Sequence, residues 1–182
     1  MRIKFNPDLD FQADAVSSIV DLFEGQETCQ TNFTVGGADL SLEPALPGME
    51  KHTGQSDLGI GNRLRLLDED ILSNVSKVQL RAGLKPSAEL GDLNFTVEME
   101  TGTGKTYVYL RSVFELNRRY GFTKFIIVVP LVAIKEGVYK SLQITEDHFK
   151  GIYDNVRYDY FVYDSQKLGD RFVEVVIRFD KA

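Results

Sequence analysis

The stretch Met99-Glu100-Thr101-Gly102-Thr103-Gly104-Lys105-Thr106 follows directly on the apolar, β-prone run Leu93-Asn94-Phe95-Thr96-Val97-Glu98 and leads into a helical pattern. A strand that turns through glycines into a helix aims backbone N–H groups and a helix N-terminus at one point, which favours an anion there. Gly102 and Gly104 admit positive φ and carry no Cβ, so the loop can close tightly around phosphate oxygens. Lys105 supplies a point charge for β and γ phosphates, and the Thr106 hydroxyl is a ligand for Mg²⁺. The expected ligand is a nucleoside triphosphate with Mg²⁺, held by Thr101, Gly102, Thr103, Gly104, Lys105 and Thr106, with Lys105 and Thr106 serving the chemistry. One residue departs from the general pattern, which has glycine where Met99 stands.

Bulk properties narrow the class further. A chain of 182 residues can form one good-sized domain or a compact part of something larger. No apolar run approaches the roughly 20 residues that cross a bilayer, and the start Met1-Arg2-Ile3-Lys4-Phe5-Asn6-Pro7-Asp8 lacks the apolar core of a signal peptide. A cytoplasmic protein with no membrane partner is expected. The single cysteine, Cys29, cannot form an internal disulfide, and with His52 and His148 it makes no zinc cluster. A net charge of −6 argues against binding nucleic acid through bulk electrostatics, yet leaves room for a few well-placed phosphate donors.

Periodicity predicts an amphipathic helix from about Asp10 to Glu24, with Phe11, Ala15, Ile19 and Phe23 at four-residue steps, Asp8 or Asp10 as cap and Gly25 as stop. Residues 26–62 are rich in Thr, Gly, Ser and Pro without a sustained period and read as an extended insertion. A second helix is predicted over Asp68 to Ala82, stopped by Gly83 and Pro86. The core unit begins with a strand at 93–98 and a helix from Lys105 to about Arg119, apolar on two sides and therefore covered on both. The continuous apolar run Lys124 to Val129 has the look of a parallel strand buried on both faces. A helix from about Val132 to Ser141 and strands at Arg157–Tyr163 and Phe172–Phe179 follow. Strands alternating with helices after a phosphate loop predict an α/β fold with a parallel sheet and its ligand at the strands' C-terminal edge. The division expected is 1–92, helical with an irregular insertion, and 93–182, an ATP-binding unit.

Gln12 opens the first helix, in Phe11-Gln12-Ala13-Asp14-Ala15-Val16. Its amide can read adenine bidentately, donating to N7 and accepting from the exocyclic amine; a solvated helix residue is the plain alternative. Taken with Val75-Ser76-Lys77-Val78-Gln79, the loop Met99 to Tyr107, Lys124 to Pro130 and Asp164-Ser165-Gln166-Lys167, the chain resembles the N-terminal part of the Res subunit of type III restriction enzymes. The likeness runs from Phe5 to about Leu168. Members of that family are helicase-like ATPases of superfamily 2 that act on double-stranded DNA, carry a C-terminal nuclease domain and work with a methyltransferase subunit. Their phosphate loops relax the glycine at the Met99 position.

The resemblance implies a P-loop NTPase with a partial RecA-like sheet. It makes Gln12 an adenine reader, with Phe5 or Phe11 stacking on the base. Gly102, Gly104, Lys105 and Thr106 would hold the triphosphate and magnesium. The segment Val129 to Lys135 takes the place of a motif that touches nucleic-acid phosphates; Lys135 is the contact it implies, an ordinary exposed helix lysine being the alternative.

Hydrolysis also needs an acid for Mg²⁺ and water and, usually, an arginine at the γ-phosphate. Asp68 and Asp70 precede a helix and read as caps rather than as that acid. Asp180 follows the run Val175-Val176-Ile177-Arg178-Phe179, but Lys181 stands where a second acid belongs. The chain is therefore expected to be a truncated first motor domain that binds ATP and hydrolyses it negligibly alone. Two other readings stay open: a self-contained small kinase or NTPase, with Arg111, Arg118 or Arg119 as phosphate clamps, and a non-catalytic nucleotide-sensing module.

Overall fold

The structure, a computed structural model, describes residues 5–28, 62–163 and 173–179. Most of the insertion, the 164–167 motif, Asp180 and Lys181 lie outside the described residues.

Helix α1 (Asp10–Val20) continues as a single 3₁₀ turn, Asp21–Phe23, and stops at Gly25, whose φ of +90° only glycine takes readily. Neither Asp8 nor Asp10 caps it. Leu9 occupies the cap position with no side-chain bond, and its carbonyl accepts from the N–H groups of Gln12 and Ala13 at 3.0 and 2.9 Å. Asp10 instead sits in the first turn, where a carboxylate favours the positive end of the helix dipole. Val16 and Val20 are buried against Val108, Leu116, Tyr120 and Phe122. Phe11, expected on the same stripe, is exposed.

Helix α2 (Asp68–Arg81) packs Ile71 and Val75 on Leu22. The Asp70 carboxylate accepts from the Leu67 N–H at 3.2 Å, the capping role expected of that acid. The buried Asn74 amide donates to the carbonyls of Leu22 and Glu24, which ties the end of the 3₁₀ turn to α2.

Helix α3 (Lys105–Tyr120) is the central element and is covered on both sides. Val108 and Leu116 meet α1, whereas Leu110, Val113 and Phe114 enter the larger core. Phe114 is the hub: its ring lies 4.7 Å from Phe149, 5.2 Å from Tyr153, 4.9 Å from Tyr158 and 5.2 Å from Phe179. Glu115 is buried and satisfied, accepting from the Tyr153 hydroxyl at 2.9 Å and from Arg118 at 2.6 Å. Burial, and then the Glu115 carboxylate, hold the Tyr153 phenol far above its ordinary range.

Strand β1 (Lys124–Val129) leads into α4 (Val132–Ile152), which is longer than the predicted helix ending at Ser141. The helix continues because Val138, Leu142, Thr145 and Phe149 keep one buried stripe, and Thr145 returns its hydroxyl proton to the Ser141 carbonyl at 2.6 Å. Strands β2 (Tyr158–Tyr163) and β3 (Val173–Phe179) complete a sheet of order β1-β3-β2.

The sheet departs from expectation in direction. β3 is antiparallel to both neighbours, with Phe125 opposite Ile177 and Tyr160 opposite the same residue. Residues 164–172 are too few for a parallel crossover, which takes about a dozen or more residues. β1 and β2 do run parallel to each other across α4, but β3 lies between them. The β1 run is also not buried on both faces. Phe125, Ile127 and Val129 turn to the helices, whereas Ile126 and Val128 on the other face are 62% and 55% exposed.

Residues 93–98, predicted as a strand, form no regular element, with a bend at Leu93, and pair with nothing in the described sheet. The outer edge of β1 is occupied at its start by the Asn62 amide, whose oxygen accepts from the N–H groups of Thr123 and Lys124 and whose nitrogen donates to the Lys124 carbonyl. A side-chain amide thus imitates one peptide of a neighbouring strand. Residues 84–100 instead form an exposed strap beside α1 and α2.

Candidate nucleotide-binding site

The loop Met99–Thr106 sits at the head of α3. Gly102 and Gly104 have φ of +84° and +87°, the left-handed region that L side chains avoid, and Gly104 is the N-cap of the helix. Thr101 and Gly102 form an exposed turn; Thr103 and Gly104 are half-buried; Lys105 is exposed on the first turn and Thr106 half-buried beside it. The Tyr109 phenol is raised by burial, and the neighbouring Thr106 side chain partly offsets that rise. Met99 explains its own departure from glycine: its side chain packs on the α1–α3 core and anchors the loop where it begins.

Two side chains converge on the Glu100 carbonyl. The Thr103 hydroxyl and the Lys105 ammonium each donate to it at 2.7 Å. The lysine is thus held by a neutral acceptor, not by a carboxylate. A phosphate oxygen would be a stronger partner, since its negative charge adds Coulomb attraction to the ammonium's hydrogen bond.

Gln12 reaches the loop from α1. It is only 8% exposed, and its amide nitrogen donates to the Thr103 carbonyl at 2.8 Å. A Cβ placed on Gly104 would stand 2.7 Å from that nitrogen, whereas one on Gly102 would meet nothing within 4 Å. Gly104→Ala should therefore cost more than Gly102→Ala. Both incur the left-handed strain of about 1–2 kcal/mol, and only the first also displaces Gln12. Chemical denaturation of the two variants measures the difference, and equal midpoints would refute the contact.

Of the other nominated residues, Phe11 lines one cavity with Met99, Glu100 and Thr103 of the loop, and the rest have partners outside it. Phe5 stacks on Tyr107 at 5.9 Å and lies 5.2 Å from His148, while Tyr107 and His148 share a hydrogen bond of 2.9 Å. Arg111 donates to the Pro7 carbonyl, so Phe5 and Pro7 together pin the N-terminal segment to α3. Phe11 is the ring that remains exposed. Arg118 and Arg119 pair with Glu115, and Arg119 also with Asp21, leaving all three arginines in structural roles. Lys135 lies in the first turn of α4 with its ammonium 3.2 Å from Glu136, well away in sequence from the loop.

The buried Glu115 and the Gln12–Thr103 bond were not anticipated. Glu115 gave no local signal, and the bond joins residues 91 apart in sequence. Met99 could have been read as an anchor from its apolar character.

Comparison with known proteins places the chain. The family model described as "Type III restriction enzyme, res subunit" matches residues 63–170. The EcoPI Res subunit of a type III restriction-modification enzyme from Escherichia phage P1 is 37% identical over 113 residues, covering 59% of this chain and 12% of the relative. The EcoP15I Res subunit from Escherichia coli is 37% identical over 109 residues, covering 57% and 11%. The StyLTI Res subunit from Salmonella typhimurium is 50% identical over 66 residues, covering 35% and 7%. The chain thus spans about an eighth or less of the length of these relatives. No solved structure matches it. With the family model covering more than half of its length, across the whole phosphate loop, the chain belongs to the family of type III restriction enzyme Res subunits.

Proposed function

We propose that this chain is the ATP-binding portion of a helicase-like, DNA-translocating restriction subunit. Family membership carries a P-loop helicase-like ATPase fold and the use of ATP. The single observation that supports the reading best is local: two left-handed glycines at the head of α3 present Lys105 and Thr106, with Gln12 fastened to the same loop. The donors suit the ligand. Gly102, Thr103 and Gly104 would wrap the phosphates, Lys105 would exchange the Glu100 carbonyl for phosphate oxygen, and Thr106 would hold Mg²⁺, which neutralises charge on the phosphates. Gln12 retains a second N–H and an acceptor oxygen with which to read adenine. The ATP-binding unit 93–182 therefore borrows a residue from the 1–92 part.

Double-stranded DNA, a partner methyltransferase subunit and a cytoplasmic setting belong to the same proposal, by analogy with the named relatives. Lys135 remains the nucleic-acid contact proposed. Among the described residues no helix is long and apolar enough to cross a membrane. Turnover by this chain alone is proposed to be negligible. Asp70 is engaged as a helix cap, and supplying a missing arginine is worth about 10³–10⁵ in rate in related phosphoryl transfer.

Titration of the chain with a fluorescent ATP analogue in magnesium tests the reading. Saturable binding that ATP displaces is expected, and its absence would sink the proposal. Gln12→Ala should cut the preference for ATP over GTP by about tenfold, the scale of a bidentate base contact. An unchanged preference would leave Gln12 with only its loop-holding role.

A further inference from the structure

We propose that the groove between α1, α2 and the strap 84–100 docks a polypeptide segment with an apolar stripe flanked by lysines or arginines. The cavity measures about 1530 Å³. Small-molecule pockets run to about 300–1,000 Å³, so the volume suits a stretch of chain better than a metabolite.

The lining is apolar at the floor and acidic around it. Leu22, Val75 and Val78 form the floor, and Phe11, Phe95 and Val97 stand exposed along the sides. Isolated exposed apolar residues are ordinary, but rings and a valine facing one trough are not scattered. Five carboxylates, Asp14, Glu89, Asp92, Glu98 and Glu100, line the same cavity, and among the described residues no lysine, arginine or histidine does. Among the described residues none of the five takes part in a salt bridge. Asp92 is bonded by the backbone and side chain of Asn94, neutral donors that leave its charge in place.

Charge selects the occupant. A trough lined by carboxylates and, among the described residues, by no cation disfavours the backbone of duplex DNA and concentrates cations. An apolar stripe supplies burial and flanking cations supply complementarity, the recipe by which an amphipathic helix lies in a groove. Residues 94–98 of the strap stand exposed along one wall. The groove ends at Glu100 and Thr103, which hold Lys105 and Gln12, so an occupant would lie against the phosphate loop.

The experiment uses the 182-residue chain and three labelled peptides of about five helical turns: leucines at i, i+3 and i+4 spacing flanked by lysines, a scramble of it, and its glutamate counterpart. Fluorescence anisotropy should show the amphipathic basic peptide binding at least about tenfold tighter than either control, a difference of about 1.4 kcal/mol. That binding should weaken as salt rises. Glu89→Lys with Glu98→Lys, and separately Phe95→Ser, should each weaken it about tenfold; all three positions are exposed, so the fold tolerates them. Equal binding of the scramble, undiminished binding by the reversed variant, or displacement by duplex DNA would overturn the proposal. Self-association of the chain that the reversals abolish would assign the groove to a second copy and would also overturn it. Fluorescent ATP binding by the reversed variant, expected to be intact, keeps this test separate from that of the nucleotide site.

Discussion

Lys105→Ala should weaken binding of Mg-ATP by about 10- to 150-fold, the loss expected when one charged hydrogen-bond donor of about 1.5–3 kcal/mol is removed. Folding stability should move by no more than about 0.5 kcal/mol. The two expectations separate because of where the side chain lies. It is exposed at the head of α3, and its hydrogen bond in the structure is to one backbone carbonyl, that of Glu100. Nothing in the core rests on it. Calorimetric titration with an ATP analogue, run beside a denaturation curve, reads both quantities. Unchanged affinity would mean that the loop does not present Lys105 to phosphate, and the ATP-binding reading would fail with it.

Phe114→Ala should have the opposite signature, with a stability loss of about 3–5 kcal/mol and binding lost only through unfolding. Phe114 is 1% exposed and joins α3 to α4, β2 and β3 through four aromatic neighbours. Removing the ring leaves a cavity that edge-to-face and stacked partners cannot collapse to fill. Against a total of about 5–15 kcal/mol for an ordinary domain, that loss is a large share of the whole. Urea unfolding followed by circular dichroism measures it; a loss below about 1 kcal/mol would show that α3 is not the hub that the packing indicates.

The helices were legible in the residues because both of their determinants are local. The apolar period of α1 and the stops at Gly25 and Gly83 need no knowledge of the rest of the chain, although the stripe that is buried, Val16 and Val20, lies one step round from Phe11. The left-handed glycines of the phosphate loop were legible for the same reason. Strand direction was not. An apolar run such as Lys124 to Val129 announces a strand but carries nothing about its neighbours, and the insertion of β3 between β1 and β2 is a non-local event. The run 93–98 had the propensity to be a strand without a described partner to pair with. Gln12 was nominated as a reader of adenine, and its bond to the Thr103 carbonyl depends on the packing of α1 on α3. Pattern told which residues matter there; packing decided what they touch.

The open side of the sheet bears on how the chain will behave at the bench. Ile126 stands opposite Val176, which stands opposite Phe161, so one row of apolar side chains crosses all three strands with the helices on the far side. With Ile126 62% and Phe161 52% accessible, that row meets water directly. Such a face is adhesive: concentrated stocks should bind amphiphilic dyes and detergents and precipitate on gentle warming. Replacing Ile126 and Phe161 by threonine, a residue at home on a pleated surface, offers a soluble variant in which the nucleotide loop can be measured undisturbed.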